Sequence, residues 1–231
     1  MAIQNQGFGG VVAEVDGTTF RAFRGTSRPI DYGSGGSYQN SMRSGTIAAV
    51  LVVNGNMYSF RNPSASLLAV VHRVRVQVFA NIAYTAAFND FSCKMMVARG
   101  YTTGHTTNGT AATLTGNNAK MRTSMPTCAS IIHILNTSNA GLTGGTATVD
   151  TDPMAWSTVG KPNVVNVAAG TEYLAAQPLI TLDYEPDMGD GAHPLILAQN
   201  EGFLIQNGLV WPAAGTGIIT VRTAWSEVAA F

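Results

Sequence analysis

The sequence predicts an all-β fold: an antiparallel β-sandwich of jelly-roll type, preceded by an extended N-terminal arm. Three observations predict it. First, Ile219, Val221, Thr223 and Trp225 alternate with Thr220, Arg222, Ala224 and Ser226, the period of two of a strand with one buried face. Second, about ten short apolar runs are separated by Gly, Pro, Asn and Asp turn signals, the pattern of sandwiches and barrels. Third, no stretch carries a long amphipathic helix pattern, and no repeat of fixed period is present.

Composition narrows the class. Hydrophobic residues make up 45% of the 231, enough for a real core, and charged residues only 11%; a typical soluble domain carries about 25% charge. Disordered chains are poor in apolar residues, so disorder is not the reason. A neutral, weakly self-repelling exterior suits a protein packed against copies or partners. Lys plus Arg and Asp plus Glu both number 13, so there is no basic field for gripping nucleic acid. No apolar run approaches the ~20 residues of a membrane span, and the first residues lack the basic and apolar regions of a signal peptide. Cys93 and Cys128 alone imply no disulfide framework and read as free, buried thiols.

Taken in order, residues 1–45 read as the arm and 46–231 as the sandwich. Within the arm, Val11–Val15 and Thr18–Phe23 flank Asp16-Gly17, a tight-hairpin signal. Arg24 to Ser44 reads as irregular chain. Ile47–Val53, Asn54-Gly55 and Asn56–Phe60 spell a second hairpin with a type I′ turn. Leu68 to Phe79 is the cleanest strand, with Leu68, Val70, His72, Val74, Val76 and Val78 on one face and Val71, Arg73, Arg75 and Gln77 on the other. Phe91, Cys93, Met95 and Val97 repeat the pattern, while Ala80 to Asn89 fits either a loop or a short helix. Thr102 to Asn118 is almost all Thr, Gly, Asn, Ala and His and reads as a long surface loop. Ile131–Leu135, Ala147–Val149, Tyr173-Leu174 and Leu179–Leu182 are further strands. Asn136 to Gly145 is a turn region, and Pro153 to Trp156 fits a helical turn capped by Asp152. Pro194–Ala198, Phe203–Ile205 extended through Leu209-Val210-Trp211, and Ile219–Trp225 read as an antiparallel meander, its first turn at Gln199–Gly202.

Few residues suggest chemistry. Asp183, Glu185, Asp187 and Asp190 gather hard oxygen ligands on one loop, as Ca²⁺ requires. Their spacing does not match an EF-hand; a solvated inter-strand loop accounts for them without a metal, and a subunit-bridging role is preferred to a metal site. The histidines at 72, 105, 133 and 193 are dispersed, with no metal-binding spacing. His72 reads as a hydrogen-bonded core residue and His105 as solvent-facing or interfacial. No nucleophile motif or phosphate cradle is present, and glycoside-cleaving acid pairs have no sequence spacing rule to test. No cofactor is implied. The residues best suited to an interface are Phe8, Arg21, Arg24, Tyr32 and Tyr38 near the N-terminus, Arg73 and Arg75 on one strand face, and His105, because aromatic and Arg side chains are enriched there. Arg73 and Arg75 suit bidentate pairing with carboxylates such as those of the acidic loop.

Val97-Ala98-Arg99-Gly100-Tyr101-Thr102, the Thr-Gly-His-Thr-Thr loop after it, Ala112 through Ser124, Pro194 through Phe203 and the closing Trp225-Ser226-Glu227-Val228 are similar to a group of tailed-bacteriophage virion structural proteins. The likeness runs over residues 45 to 228 and rests on packing and turn motifs, not catalytic ones. It implies a virion component made in the host cytoplasm, without distinguishing head from tail. The expectation is a non-enzymatic capsid decoration or cement protein, a homo-oligomer with a trimer favoured, bound to other virion proteins such as the major capsid protein, with neither nucleic acid nor membrane as partner. The alternatives are a tail-associated receptor- or glycan-binding module and an enzyme acting on surface sugars.

Overall fold

The computed structural model describes residues 15–16, 22–23, 35–82, 90–160, 179–186, 193–211 and 215–229. Among them the chain is all-β, with no helix. The strands are β1 (Val15–Asp16), β2 (Ala22–Phe23), β3 (Ser37–Arg43), β4 (Asn56–Asn62) and β5 (Leu68–Ile82). There follow β6 (Asp90–Thr103), β7 (Gly109–Ala111), β8 (Ile131–Leu135), β9 (Thr146–Val149) and β10 (Ala155–Gly160). The last are β11 (Leu179–Tyr184), β12 (Leu195–Leu197), β13 (Glu201–Asn207) and β14 (Thr216–Val228).

Met1–Ile30 form one compact unit and Asp31–Phe231 another. In the first, β1 and β2 pair antiparallel, Val15 opposite Phe23 and Asp16 opposite Ala22. Five residues therefore separate the paired ends, and Asp16-Gly17 is not the two-residue turn its sequence suggests. In the second, two antiparallel sheets pack face to face. One has the order β11-β5-β14-β3, with β12 also on β5; the other has β10-β6-β13-β4-β8-β7, with β9 also on β6.

Between them lies one core. Val71, Val74, Val76, Leu182, Ile219, Val221 and Trp225 come from the five-stranded sheet; Tyr58, Phe60, Phe91, Met95, Ile132, Ile134, Phe203 and Ile205 come from the seven-stranded sheet. Burying each such side chain contributes about 1.5–3 kcal/mol. Phe60 stacks on Phe203 at 5.1 Å and meets the Trp225 ring edge-on at 5.4 Å, so the aromatics interlock across the sandwich.

Several expectations need correction. Ser37–Arg43 is not irregular chain: it pairs with β14 from Ser37 opposite Ser226 to Arg43 opposite Thr220. The signal was weak because an edge strand needs few apolar residues, here Tyr38 and Met42. Ile47–Val53 is not a strand. Ile47 bridges Gly217 and the chain then turns, with Val50 at φ 62°, a conformation that breaks strand geometry and is rare for a β-branched residue. Asn54 takes a positive φ, 59°, but Gly55 does not, so the turn spans Val52 to Gly55 and is not of type I′. Thr102–Asn118 contains an edge strand, β7, paired with β8. Pro153–Trp156 makes no helical turn, because Ala155 and Trp156 pair with Met95 and Lys94. Leu209–Trp211 does not extend β13. Ala80–Ile82 continue β5, while residues 83–89 and Tyr173-Leu174 lie outside the described residues.

Two corrections carry a general reason. β12 and β14 pair with β5 in one sheet, while β13 pairs with β4 and β6 in the other. The final strands are thus no meander; the turns between them cross from sheet to sheet. A turn signal fixes reversal of direction and is silent on which sheet the next strand joins. In β5, Ala224 faces Arg73 but Trp225 faces Val71, leaving His72 as an inserted residue. Such a bulge reverses the alternation: the core face is Ala69 and Val71 before it, then Val74, Val76 and Val78 after it. His72 is therefore not a core residue; it is half-buried, 2.9 Å from the Ser226 hydroxyl.

Candidate functional site

On the outward face of the five-stranded sheet, register places Asp183, Arg75, Arg222 and Ser41 in one row across β11, β5, β14 and β3. Arg73 lies in the next row. Its Nε and Nη2 donate to the two Asp183 oxygens at 3.0 and 2.8 Å, and Arg75 adds bonds to Oδ2 at 3.1 and 2.8 Å. Glu185 lies 3.4 Å from Arg73, and Arg222 donates to Gln39 at 2.8 Å. The hydrogen bond from Arg73, joined by Arg75, pulls the Asp183 carboxyl down to about 2. These groups are exposed, so the network fixes strand register more than it adds stability.

The structure thus brings together two residue groups singled out in the sequence, the Arg73/Arg75 pair and the acids of the 183–190 loop, but within one chain. Asp183 and Glu185 answer arginines of their own sheet, which leaves Asp183 occupied on both oxygens. Asp187, Asp190, Phe8, Arg21, Arg24 and Tyr32 lie outside the described residues. Among the described residues no group of three His, Cys, Asp or Glu side chains is placed to hold a metal.

Tyr38 and His105, expected at an interface, are both buried. Tyr38 is on the inward face of β3, stacked on Trp225 at 5.5 Å with its hydroxyl donating to the Pro126 carbonyl at 3.0 Å. His105 folds back on Tyr101, its Nδ1 2.6 Å from the hydroxyl, which accepts the His105 backbone N–H at 3.3 Å. Gly145 makes this possible: a Cβ there would fall 2.4 Å from the His105 ring. His133, on β8, is buried nearby. Burial lowers the pKa of both histidines, and on His105 the charge of His133 adds to it. The cluster closes a Thr- and Gly-rich loop onto the sheet.

Other features were not singled out from sequence. Glu227 is buried and accepts from Ala129 N at 2.8 Å, Ser130 N at 2.9 Å and Ser130 Oγ at 2.7 Å, so a carboxylate anchors the 129–130 turn through charge-assisted bonds. Cys93 is buried and Cys128 half-buried; desolvation pushes both thiols up to about 12, too high for nucleophiles at neutral pH. An open groove at Ser64–Leu68, Ala198 and Gln199 is lined by uncharged residues, so it offers no acid pair of the kind glycoside cleavage uses.

At the end of the sandwich where β4 begins and β13 finishes, Val50, Val52, Val53, Leu209 and Val210 are 43–49% exposed. Their apolar character was legible in the sequence. Their exposure was not, because both runs resemble strands.

No protein-family model matches the chain, no curated protein matches its sequence, and no solved structure matches its fold.

Proposed function

We propose that the chain is a non-enzymatic virion structural protein of the capsid decoration or cement kind, made in the host cytoplasm and working as a homo-oligomer, a trimer by preference, seated on other virion proteins such as the major capsid protein. Its mechanism is the burial of surface, without bond-making chemistry. The observation that carries the reading is the exterior: a cluster of half-exposed Val and Leu side chains at one end of a chain with only 13 cationic and 13 anionic residues. Contiguous apolar patches of a few hundred Å² on a protein surface are often functional contact sites.

The strand order supports a jelly roll. Taking β3, β4, β5, β6, β10, β11, β13 and β14 as eight successive strands, the first, eighth, third and sixth make one sheet; the second, seventh, fourth and fifth make the other. That interleaving is the double-sheet arrangement shared by viral coat and lectin domains. Fold alone does not assign function, so the exterior and not the topology carries the conclusion.

The test is the number of copies of this chain in purified particles. Hundreds per particle support a coat protein; a few dozen or fewer assign it to the tail, and absence from particles overturns the reading. The arm is tested by deleting residues 1–30, which spares β3. Incorporation is expected to fall while the sandwich still folds, and full incorporation would remove the arm from the account.

A further inference from the structure

The exposed apolar end is one continuous surface. The Trp211 N–H donates to the Leu51 carbonyl at 3.1 Å, and the Asn207 side-chain amide donates to the carbonyls of Leu51 at 3.3 Å and Leu209 at 2.7 Å. These bonds lock 50–53 beside 209–211. They turn Leu51 and Trp211 inward, both buried, and leave Val50, Val52, Val53, Leu209 and Val210 outward. Trp156 extends the surface: it is 58% exposed, its indole N–H donates to Ser92 Oγ at 2.7 Å, and its ring lies 3.4 Å from where a Cβ on Gly208 would sit. The Gly208 N–H donates to the Ser92 carbonyl at 2.8 Å, so the ring and the 208–210 turn share one anchor. Lys94 lies over the ring at 5.7 Å.

We infer that this end is the contact through which copies of the chain associate, the patches of neighbouring copies gathering about a common symmetry axis. The inference rests on the coat-protein reading for the kind of partner and names the surface that reading requires. Charge favours a second copy. The five aliphatic side chains offer no complement to a strongly charged partner, and a chain with zero net charge does not repel itself at long range.

Area agrees. A fully buried Val or Leu removes ~100 Å² of apolar surface and a Trp ~200 Å². At the exposures above, one copy offers ~350 Å² and two offer ~700 Å². With apolar atoms forming about 65% of such interfaces, the whole contact is roughly 1,100 Å², above the ~1,000 Å² expected of a specific association.

Sedimentation of the full chain across a concentration series, at ordinary and high salt, tests the inference. The wild type is expected to associate, with little salt dependence because the contact is apolar. The double variant V52D/L209D is expected to weaken association at least ~100-fold, since each buried, unpaired carboxylate opposes it. M121D, a 62% exposed residue beside Ser37 at the other end of β14, is expected to leave association unchanged. Circular dichroism confirms that each variant is folded; V53K/V210K replaces the aspartate pair if that pair is not. A wild type that stays monomeric, or variants that associate as the wild type does, would overturn the inference. If the chain is monomeric yet the same substitutions abolish incorporation into particles, the surface belongs to a different virion protein. Failure here is distinct from failure of the coat reading, which copy number decides: self-association by a chain absent from particles sinks only the latter.

Discussion

At the scale of single residues, the fold depends on polar groups placed where water cannot replace them. Glu227 faces two backbone N–H groups and a hydroxyl, so a neutral amide in its place would point its own N–H₂ at donors. Glu227→Gln is expected to destabilise the protein by about 2–3 kcal/mol in denaturant titrations, the cost of a lost charged acceptor plus unsatisfied buried donors. A change below about 0.5 kcal/mol would remove Glu227 as an anchor. The histidines set an acid limit. Burial lowers the pKa of His72, His105 and His133 in the folded state, so below about 6.5 the unfolded chain binds protons the native chain does not. Stability is therefore expected to be full above that pH and to fall as pH drops toward the folded pKa values. Thermal melts at pH 7.5 and 5.5 should show a lower midpoint at 5.5, and the difference should shrink in H105N/H133N. Asp183 acts in a separate window, its small contribution disappearing as pH falls from about 4 toward about 2.

At the scale of elements, the alternation of β14 was legible because nothing interrupts its inward side chains: Ile219, Val221, Thr223 and Trp225 are all fully buried. β5 was legible as a strand but misassigned in its face, because the bulge at His72 depends on the partner's register and leaves no mark in β5 itself. The same limit applied to Val50–Val53 and Leu209–Trp211, where apolar runs turn at an end of the sandwich. Glu227 was hidden for another reason: its donors lie 97 and 98 residues away. One contact joins the two sheets through a polar pair. The Tyr58 hydroxyl on β4 lies 2.8 Å from Thr223 Oγ1 on β14, both buried, and burial raises the Tyr58 pKa well above its ordinary value. Thr223→Val is expected to cost about 1–3 kcal/mol by stranding the Tyr58 hydroxyl. In the double variant with Tyr58→Phe much of that loss should return, giving a favourable coupling in a double-mutant cycle. Strict additivity would show that this bond does not tie the sheets together.

At the scale of the molecule, the two sheets bury their own apolar faces, the arginines of one outer face answer acids of the same face, and the apolar end remains uncovered. Composition had already indicated an exterior short of charge; which part of it faces a partner required the fold. On the proposed coat-protein function, another protein surface covers this end in the assembled particle. Hydroxyl-radical footprinting of the chain diluted until it is monomeric, and of purified particles, measures that coverage directly, because oxidation reports side-chain access to water. Trp156, Leu209 and Val210 are predicted to lose most of their reactivity in the particle; equal oxidation of these residues in both states would contradict the account.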